Sequence, residues 1–233
     1  MQRIPEPELM DDADQARAYA EADFEQPHAR FVELFRQEFP RSDIRGRMLD
    51  LGCGPCDISC RMAGNYIDCA IDAVDGSAAM LSHGRERVSR HGLDSRIHLY
   101  QRYLPDDPLP SPAYDTIISN SLLHHLASAQ TLWRTIQRAA APAAIIFVMD
   151  LMRPASRDQA RSLVAEYAAQ EPPVLQHDFY HSLLAAYTVE EVREQLAIAG
   201  LHGLQVQAVS DRHLIVSGHA VSLDRTPGTE LKG

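Results

Sequence analysis

The chain has 233 residues and a mass of 26.0 kDa, which suffices for one large domain or for a domain with a cap. With a formal net charge of −10 and Lys232 as its sole lysine, it carries no basic patch for a phosphate backbone, which excludes nucleic acid as an expected partner. The first residues are polar and no apolar run reaches the roughly 18 residues of a membrane span, so we expect a cytoplasmic protein without a membrane partner.

Predicted strands and helices alternate along the chain in the order of a doubly wound α/β sheet. Helices are predicted before residue 44, and they would form a cap over the functional site. Strands are predicted at residues 47–51, 70–74, 97–101, 115–120 and 144–149. The helices between them are predicted at residues 56–64, 78–91 and 129–140.

The pattern changes after Pro154. A polar helix is predicted at residues 157–169, a loop rich in histidine and aromatic residues at 171–187, and a helix at 189–199. Thr188 and Glu191 have the spacing of a capping box for this last helix, and Gly200 stands where a left-handed residue would end it. Segments 204–209 and 213–217 are predicted to form a hairpin, followed by a frayed tail.

The most informative segment joins the first predicted strand to its helix. Gly52 and Gly54 remove two Cβ atoms where the chain turns sharply, so that backbone amides can approach a ligand closely. Asp75 lies 21 residues after Gly54, close to the spacing of about 20 at which a carboxylate at the end of the next strand meets ribose hydroxyls. Together these residues predict a site for a nucleoside cofactor.

The same turn lacks the features of a phosphate site. Asp57 stands where the third glycine of G-x-G-x-x-G would be, and it would place a carboxylate against a pyrophosphate. No lysine followed by serine or threonine completes a phosphate loop. A cofactor with a ribose but no phosphate therefore fits better.

Four segments resemble successive motifs of class I S-adenosylmethionine-dependent methyltransferases. They are D-L-G-C-G-P at 50–55, V-D-G-S-A-A-M-L at 74–81, Y-D-T-I-I-S-N-S-L-L-H-H-L at 114–126 and V-M-D-L-M-R-P at 148–154. The resemblance implies a three-layer αβα, Rossmann-like, doubly wound and mostly parallel seven-stranded sheet with an antiparallel last strand. We divide the chain into an N-terminal helical cap (1–44), a methyltransferase domain (45–218) and a flexible tail (219–233).

The resemblance also implies S-adenosyl-L-methionine as the cofactor. Asp50 and the glycine turn would face its methionyl end, Asp75 its ribose, and the residues after Asp75 its adenine. The implied cofactor-binding residues are Asp50, Gly52, Cys53, Gly54, Asp75, Gly76, Met80, Tyr103, Asn120 and Ser121. Three places depart from the family pattern: Cys56 replaces a common glycine, Tyr103 stands where an aspartate usually contacts the adenine amino group, and Ala141-Pro-Ala-Ala144 replaces the usual K-P-G-G turn.

Methyl transfer requires a nucleophile held against the methyl group and, for some acceptors, a base that removes a proton. Histidine suits the base role because its pKa lies near neutrality. The candidate catalytic residues are His124, His125, Asp178, Tyr180 and His181. Asp150 is a further candidate base, and Tyr19 could cover a sulfonium by a cation–π contact. For Asn120 and Ser121, a plain turn that caps the next helix is the alternative to a place between cofactor and acceptor.

No metal site is predicted. His177 and His181 lie four residues apart without a clear third ligand, and the four cysteines lack a second C-x-x-C pair. Cys53-Gly-Pro-Cys56 has the form of a thioredoxin redox motif but is preceded by Asp50-Leu-Gly instead of an aromatic residue. We expect the four cysteines to be buried and reduced.

The sequence thus predicts an enzyme that transfers a methyl group from S-adenosyl-L-methionine to a small-molecule acceptor by in-line displacement. One alternative is a catalytically inactive protein that keeps the nucleoside pocket. Another is a thiol oxidoreductase that uses Cys53 and Cys56. These motifs leave open the acceptor, its reacting atom, and whether the protein is a monomer or a homodimer.

Overall fold

Seven strands form one sheet in the computed structural model, which describes residues 1–6, 13–22 and 24–220. The strands are β1 (Gly46–Leu51), β2 (Cys69–Asp75), β3 (Ile97–Gln101), β4 (Tyr114–Asn120), β5 (Ala140–Leu151), β6 (Leu204–Ala208) and β7 (His213–His219). They are ordered β3-β2-β1-β4-β5-β7-β6. The first five strands run parallel, and β7 is antiparallel to both β5 and β6. This confirms the predicted doubly wound sheet.

Eight helices lie in the described part of the chain. They are α1 (Ala13–Glu21), α2 (Glu25–Glu38), α3 (Asp57–Asn65), α4 (Ala78–Arg90), α5 (Ala129–Ala139), α6 (Arg157–Tyr167), α7 (Pro173–Ala185) and α8 (Val189–Ile198). Helices α3, α4 and α5 each connect two strands of the sheet, as predicted. None of the helices described is both long and apolar enough to cross a membrane.

Apolar side chains alternate between the two faces of the sheet, and each face has its own core. In β1, Met48 belongs to the core beneath α2, α3 and α4, whereas Leu49 and Leu51 belong to the core beneath α5 and α8. This alternation follows from the period of two in a strand. Because both faces are covered, the structure has the three layers that the resemblance implied.

Helix α2 is an integral part of one of these layers. Phe31 and Phe35 are fully buried and meet the ring of Phe147 on β5 at centroid distances of 4.9 and 5.4 Å in edge-to-face contacts. Such aromatic pairs add about 0.5–1.5 kcal/mol each beyond the area that they bury. Helix α1, in contrast, packs against α4 and α7 at the carboxyl edge of the sheet. The division into a cap and a catalytic domain stays a prediction.

The order of the strands determines where a ligand can bind. From β1 the chain winds outward through β2 on one side, whereas β4 lies on the other side of β1. The direction of winding therefore reverses between β1 and β4. Neighbouring crossovers diverge at such a point and leave a crevice beyond the carboxyl ends of the strands. The residues at these ends are Leu51, Asp75, Asn120 and Leu151.

One predicted element is wrong. Residues 171–187, predicted as a loop, contain the helix α7 (Pro173–Ala185). Pro172 is its N-cap and Pro173 occupies the first turn, where the missing N–H costs no hydrogen bond. The helix packs on α6 through Leu183 and Leu184. Strand β5 is also longer than predicted, because it begins directly where α5 ends.

Local sequence signals near the C-terminus are confirmed. The Thr188 side chain accepts a hydrogen bond from the Glu191 amide while the Glu191 carboxylate accepts one from the Thr188 amide. Gly200 has φ +71°, the left-handed conformation expected after a helix. The predicted hairpin is formed by β6 and β7. Most of the predicted tail, residues 221–233, lies outside the described residues.

Candidate active site

The turn between β1 and α3 has an unusual backbone. Gly52, Gly54 and Cys56 have φ values of +71°, +50° and +61°. Such values are costly for residues with a Cβ and free of strain for glycine. Cys56 carries a Cβ in a conformation that favours glycine, the residue that the family resemblance led us to expect there. At Gly52, a Cβ would also lie 2.9 Å from Leu122, so the position is tightly packed as well.

Gly54 presents its backbone to open space. A Cβ built there would have nothing within 4 Å. Its N–H donates to Asp75 Oδ2 at 2.8 Å, while Asp75 Oδ1 accepts from the amide of Ser77, also at 2.8 Å. The end of β2 is thereby tied to the glycine turn, and the carboxylate sits at the wall of the crevice.

We call the crevice beside this turn the glycine-turn cavity. It has a volume of about 190 Å³, and its lining includes Gly52, Gly54, Asp75, Gly76, Met80 and Tyr103. Tyr103 reaches it from the loop after β3, and its hydroxyl accepts a hydrogen bond of 3.0 Å from Gln101 Nε2. The structure therefore brings together the residues expected around a nucleoside.

A larger space, the histidine cavity, adjoins the first. It has a volume of about 330 Å³, within the range of small-molecule sites. Its apolar walls include Phe24, Met149, Leu175 and Phe179, and its polar lining includes Asp178, Ser182 and Arg212. Four residues line both cavities, namely Tyr19, Asn120, Ser121 and His125. Asn120 and Ser121 thus lie at the junction of the two cavities.

Asp50 is buried beside the glycine turn. It is 1% exposed, and its Oδ2 accepts a hydrogen bond of 2.5 Å from the Ser59 hydroxyl. Burial, together with the like charge of Asp75, raises the pKa of Asp50 to about 7, although the Ser59 hydrogen bond acts in the opposite direction. The side chain lines a small recess that also contains Gly54 and Asn120. A cationic group in this recess would stabilise the ionised carboxylate.

His124 lies between two carboxylates, beyond the end of β4. Its Nδ1 lies 2.5 Å from Asp150 Oδ1, and its Nε2 lies 3.5 Å from Glu6 Oε1. Burial by itself would lower the pKa of His124, but the carboxylates of Asp150 and Glu6 outweigh this effect and leave it above the ordinary value. Because both ring nitrogens already face carboxylates, His124 does not present a free nitrogen to the cavity.

Two predicted site residues are misplaced. Tyr180 and His181 were expected in a loop around the acceptor, but they lie on α7 and are not among the residues that line the histidine cavity. A helix turns successive side chains by about 100°, so only part of the segment can face one cavity. From α7 the structure brings Leu175, Asp178 and Phe179 to the cavity, together with Ser182. His124 and His125 also line it, as expected.

Several lining residues were missed at the sequence level. Phe24, Gln26 and His28 come from α2 and the residue before it, and Arg212 comes from the β6–β7 turn. His213 of β7 also lines the cavity, and burial lowers its pKa to about 4, so it is neutral at pH 7. The positions of these lining residues depend on how distant elements pack together, and local sequence patterns do not report that packing.

Asp57 has a structural role. Its carboxylate lies 2.6 Å from His28 Nδ1, 2.6 Å from Arg61 Nε and 3.3 Å from Arg87 Nη1. These groups belong to α2, α3 and α4, so one side chain connects three helices. Although burial opposes ionisation, the hydrogen bonds from His28 and Arg61 hold the pKa of Asp57 well below its usual range.

The cysteines are buried and unpaired, as expected. Burial raises the pKa of the Cys53 thiol well above its ordinary value, and it raises the pKa of Cys60 to about 12. Since the thiolate is the reactive form, these thiols are poor nucleophiles at neutral pH.

Residues 49–146 match a protein-family model described as a methyltransferase domain. Trans-aconitate 2-methyltransferase of Rhodococcus jostii (strain RHA1) is 33% identical over 104 residues, which cover 45% of this chain and 37% of that protein. The enzyme of the same name from Mycolicibacterium gilvum (strain PYR-GCK) is 32% identical over 78 residues, 34% of this chain and 27% of that protein. The chain therefore matches only a minor part of the length of these relatives.

Two solved structures share the fold. A SAM-dependent methyltransferase from Aquifex aeolicus superposes with a TM-score of 0.64 at 17% identity, covering 90% of this chain and 99% of that chain. The plantazolicin methyltransferase BpumL, in complex with a triazolic desmethylPZN analog and SAH, gives 0.69 at 13% identity, covering 90% and 92%. At these identities the similarity shows the fold alone.

The buried state of Asp50 leads to a prediction about stability and pH. The pKa of Asp50 is about 7 in the folded protein and about 3.9 in an unfolded chain. Between pH 4 and pH 7, Asp50 is protonated in the folded protein but ionised in the unfolded chain. The contribution of Asp50 to the free energy of unfolding is therefore fully present below pH 4 and is lost as the pH rises through 7. Asp50→Asn should therefore stabilise the ligand-free protein at pH 8 by about 1–4 kcal/mol.

Urea unfolding of the wild type and Asp50→Asn at pH 5 and pH 8 measures this difference. The advantage of the variant should be larger at pH 8 than at pH 5. A variant that is equally stable or less stable than the wild type at pH 8 would contradict the raised pKa.

Proposed function

We propose that this chain, which carries a methyltransferase domain, transfers a methyl group from S-adenosyl-L-methionine to a small-molecule acceptor. The observation that carries the proposal is the pair of adjoining cavities. The glycine-turn cavity has the side chains expected around a nucleoside, and the histidine cavity has mixed polar and apolar walls. Because the two share Asn120 and Ser121, a donor in one and an acceptor in the other would meet at that junction.

The glycine-turn cavity, together with the recess that Asp50 lines beside it, fits this donor in three respects. The space in front of Gly54 that a Cβ would fill leaves room for a ligand against the backbone. Asp75 offers a carboxylate for the ribose hydroxyls. Asp50 is a buried carboxylate beside the like charge of Asp75, and the ammonium of a methionyl group would compensate it. When bound, the cofactor supplies an electrophilic methyl group on a positively charged sulfur.

The protein's part in the reaction is to orient the acceptor and exclude water. A lone pair of the acceptor forms the new bond to carbon while the carbon–sulfur bond breaks and its electrons stay on sulfur. Tyr19 of α1 lines both cavities and would close the junction from the side of the N-terminal helices. Burial, together with the nearby carboxylates, raises the pKa of Tyr19 to about 12, so its hydroxyl stays protonated at neutral pH.

The residues that would orient the acceptor are His124, His125 and Asp178. The Asp178 side chain is 19% exposed and belongs to the cavity lining, as do the two histidines. Phe24 and Phe179 provide apolar surface nearby. Since no free base faces the junction from His124, orientation and electrostatic stabilisation by this group of residues are the expected contributions.

A panel assay tests the activity. The protein is incubated with methyl-labelled S-adenosyl-L-methionine and with carboxylic acids, phenols, thiols and amines, and labelled products are identified by mass analysis. Trans-aconitate belongs on the panel because two relatives are named for it. Transfer to at least one small molecule supports an enzyme. Tight cofactor binding without transfer to any compound would favour a catalytically inactive binding protein.

Cofactor binding should depend on Asp75. Asp75→Ala should weaken the binding of S-adenosylhomocysteine by more than about tenfold, or about 1.4 kcal/mol, because the ribose loses a charged acceptor. Isothermal titration calorimetry measures the effect. Asp94→Ala is the matched control, because Asp94 is an exposed carboxylate that does not line the cavity. Equal affinities for the wild type and Asp75→Ala would remove Asp75 from the site.

Acceptor binding should depend on Asp178. For the acceptor found in the panel, Asp178→Asn should lower kcat/KM by about tenfold or more, while the affinity for S-adenosylhomocysteine stays within about threefold. Asp158→Asn on α6 is the control, since its side chain is 90% exposed. Unchanged kinetics for Asp178→Asn would mean that α7 only covers the cavity.

A further inference from the structure

Three potential metal ligands converge at the wall of the histidine cavity. Glu6 Oε1 lies 3.5 Å from His124 Nε2 and 3.3 Å from His125 Nδ1. All three atoms lie within 4.8 Å of one another. Glu6 and His125 are mostly buried, with side chains 11% and 16% exposed, and His124 is 3% exposed. Among the described residues, Glu6 Oε1 is a buried oxygen that accepts no hydrogen bond.

The spacing of these atoms matches a small divalent ion. In a tetrahedral zinc site, bonds of about 2.0–2.1 Å place neighbouring ligand atoms about 3.3–3.4 Å apart. The two distances from Glu6 Oε1, 3.5 and 3.3 Å, agree with this spacing. Two imidazoles and one carboxylate are also a ligand set that Zn²⁺ uses in catalytic sites, where a fourth position stays open.

Asp150 supports the orientation of His124 from the other side. Its Oδ1 lies 2.5 Å from His124 Nδ1 and accepts from the Leu151 amide at 2.7 Å, while its Oδ2 accepts from the Leu123 amide at 2.7 Å. Asp150 is 1% exposed. A carboxylate behind a ligating histidine fixes the tautomer and aims the other ring nitrogen at a metal. Here that other nitrogen is Nε2, which faces Glu6.

Glu6 is brought to this place by an anchored N-terminal segment. The Ile4 amide donates to the Leu184 carbonyl at 3.0 Å. Arg3 Nε donates to the Ala185 carbonyl at 2.5 Å, and Arg3 Nη2 donates to the His124 carbonyl at 2.9 Å. The Ser182 hydroxyl donates to Glu6 Oε2 at 3.3 Å, which leaves Oε1 on the side of the histidines. The carboxylate is thus fixed by contacts with both α7 and the segment of His124.

We propose that Glu6, His124 and His125 bind a divalent transition-metal cation, best matched by Zn²⁺, at the wall of the histidine cavity. Because both histidines line that cavity, the open position of the ion would face the acceptor space. There the ion would bind an oxygen, nitrogen or sulfur atom of the acceptor and act as a Lewis acid. This role for the ion rests on the proposed function, whereas the binding of the ion itself does not.

Metal titration of purified protein, stripped with a chelator and dialysed, tests the proposal directly. Zn²⁺ is titrated by calorimetry, and Co²⁺ is added separately to record the visible spectrum of the bound ion. The wild type should bind one equivalent of Zn²⁺, and bound Co²⁺ should show the intense bands of a four-coordinate site. Glu6→Gln and His125→Ala should each weaken Zn²⁺ binding by more than about 100-fold, beyond the range for outer-shell residues.

His202→Ala is the matched control, because His202 is exposed and distant in sequence from the cluster, and its removal should leave Zn²⁺ affinity unchanged. Thermal unfolding of each metal-free variant checks its fold, and Glu6→Gln keeps the size of the side chain. Absence of stoichiometric binding by the wild type would overturn the proposal. So would binding that survives both Glu6→Gln and His125→Ala in folded protein.

Calorimetry with S-adenosylhomocysteine on the same samples separates this proposal from the proposed function. If the protein binds S-adenosylhomocysteine but no Zn²⁺, the metal site is wrong and the methyltransferase proposal stands. If it binds one Zn²⁺ in the cluster but no S-adenosylhomocysteine, the metal site stands and the methyltransferase proposal fails.

Discussion

The backbone of the turn between β1 and α3 is the constraint on which the site depends. Gly52, Gly54 and Cys56 all adopt positive φ within five residues, which turns the chain from a buried strand into a helix over a very short distance. The same turn frees the Gly54 amide to donate to Asp75, so β1 and β2 end in one connected unit. It also requires close packing behind it, since a Cβ on Gly84 of α4 would lie 2.9 Å from Cys56 Sγ. The shape of the glycine-turn cavity follows from these contacts.

The half of the site beside this turn could be predicted from the sequence because its residues are close together in the chain. Gly52 and Gly54 follow β1 and Asp75 ends β2, and the register of these parallel strands brings their ends to one edge. The strands themselves were predictable because apolar residues continue through both buried faces. The capping box of α8 was predictable for a similar reason, since Thr188 and Glu191 contact each other within one turn.

The other half depends on contacts that no local pattern reports. Glu6 meets His124 although more than a hundred residues separate them, and its place follows from the hydrogen bonds of Arg3 and Ile4 to distant carbonyl groups. Helix α7 was missed because its polar and aromatic residues do not form the usual apolar stripe, and its two leading prolines resemble a loop. With α7 predicted as a loop, Tyr180 and His181 were assigned to the cavity in place of their neighbours Phe179 and Ser182.

A crystal structure of the protein with S-adenosylhomocysteine tests the central claim most directly, namely that the two cavities receive donor and acceptor and meet at Asn120 and Ser121. The account predicts the ribose hydroxyls at Asp75, the amino group at Asp50, and the sulfur at the junction, directed toward the histidine cavity. A ligand bound elsewhere, or with its sulfur directed away from the histidine cavity, would contradict the account.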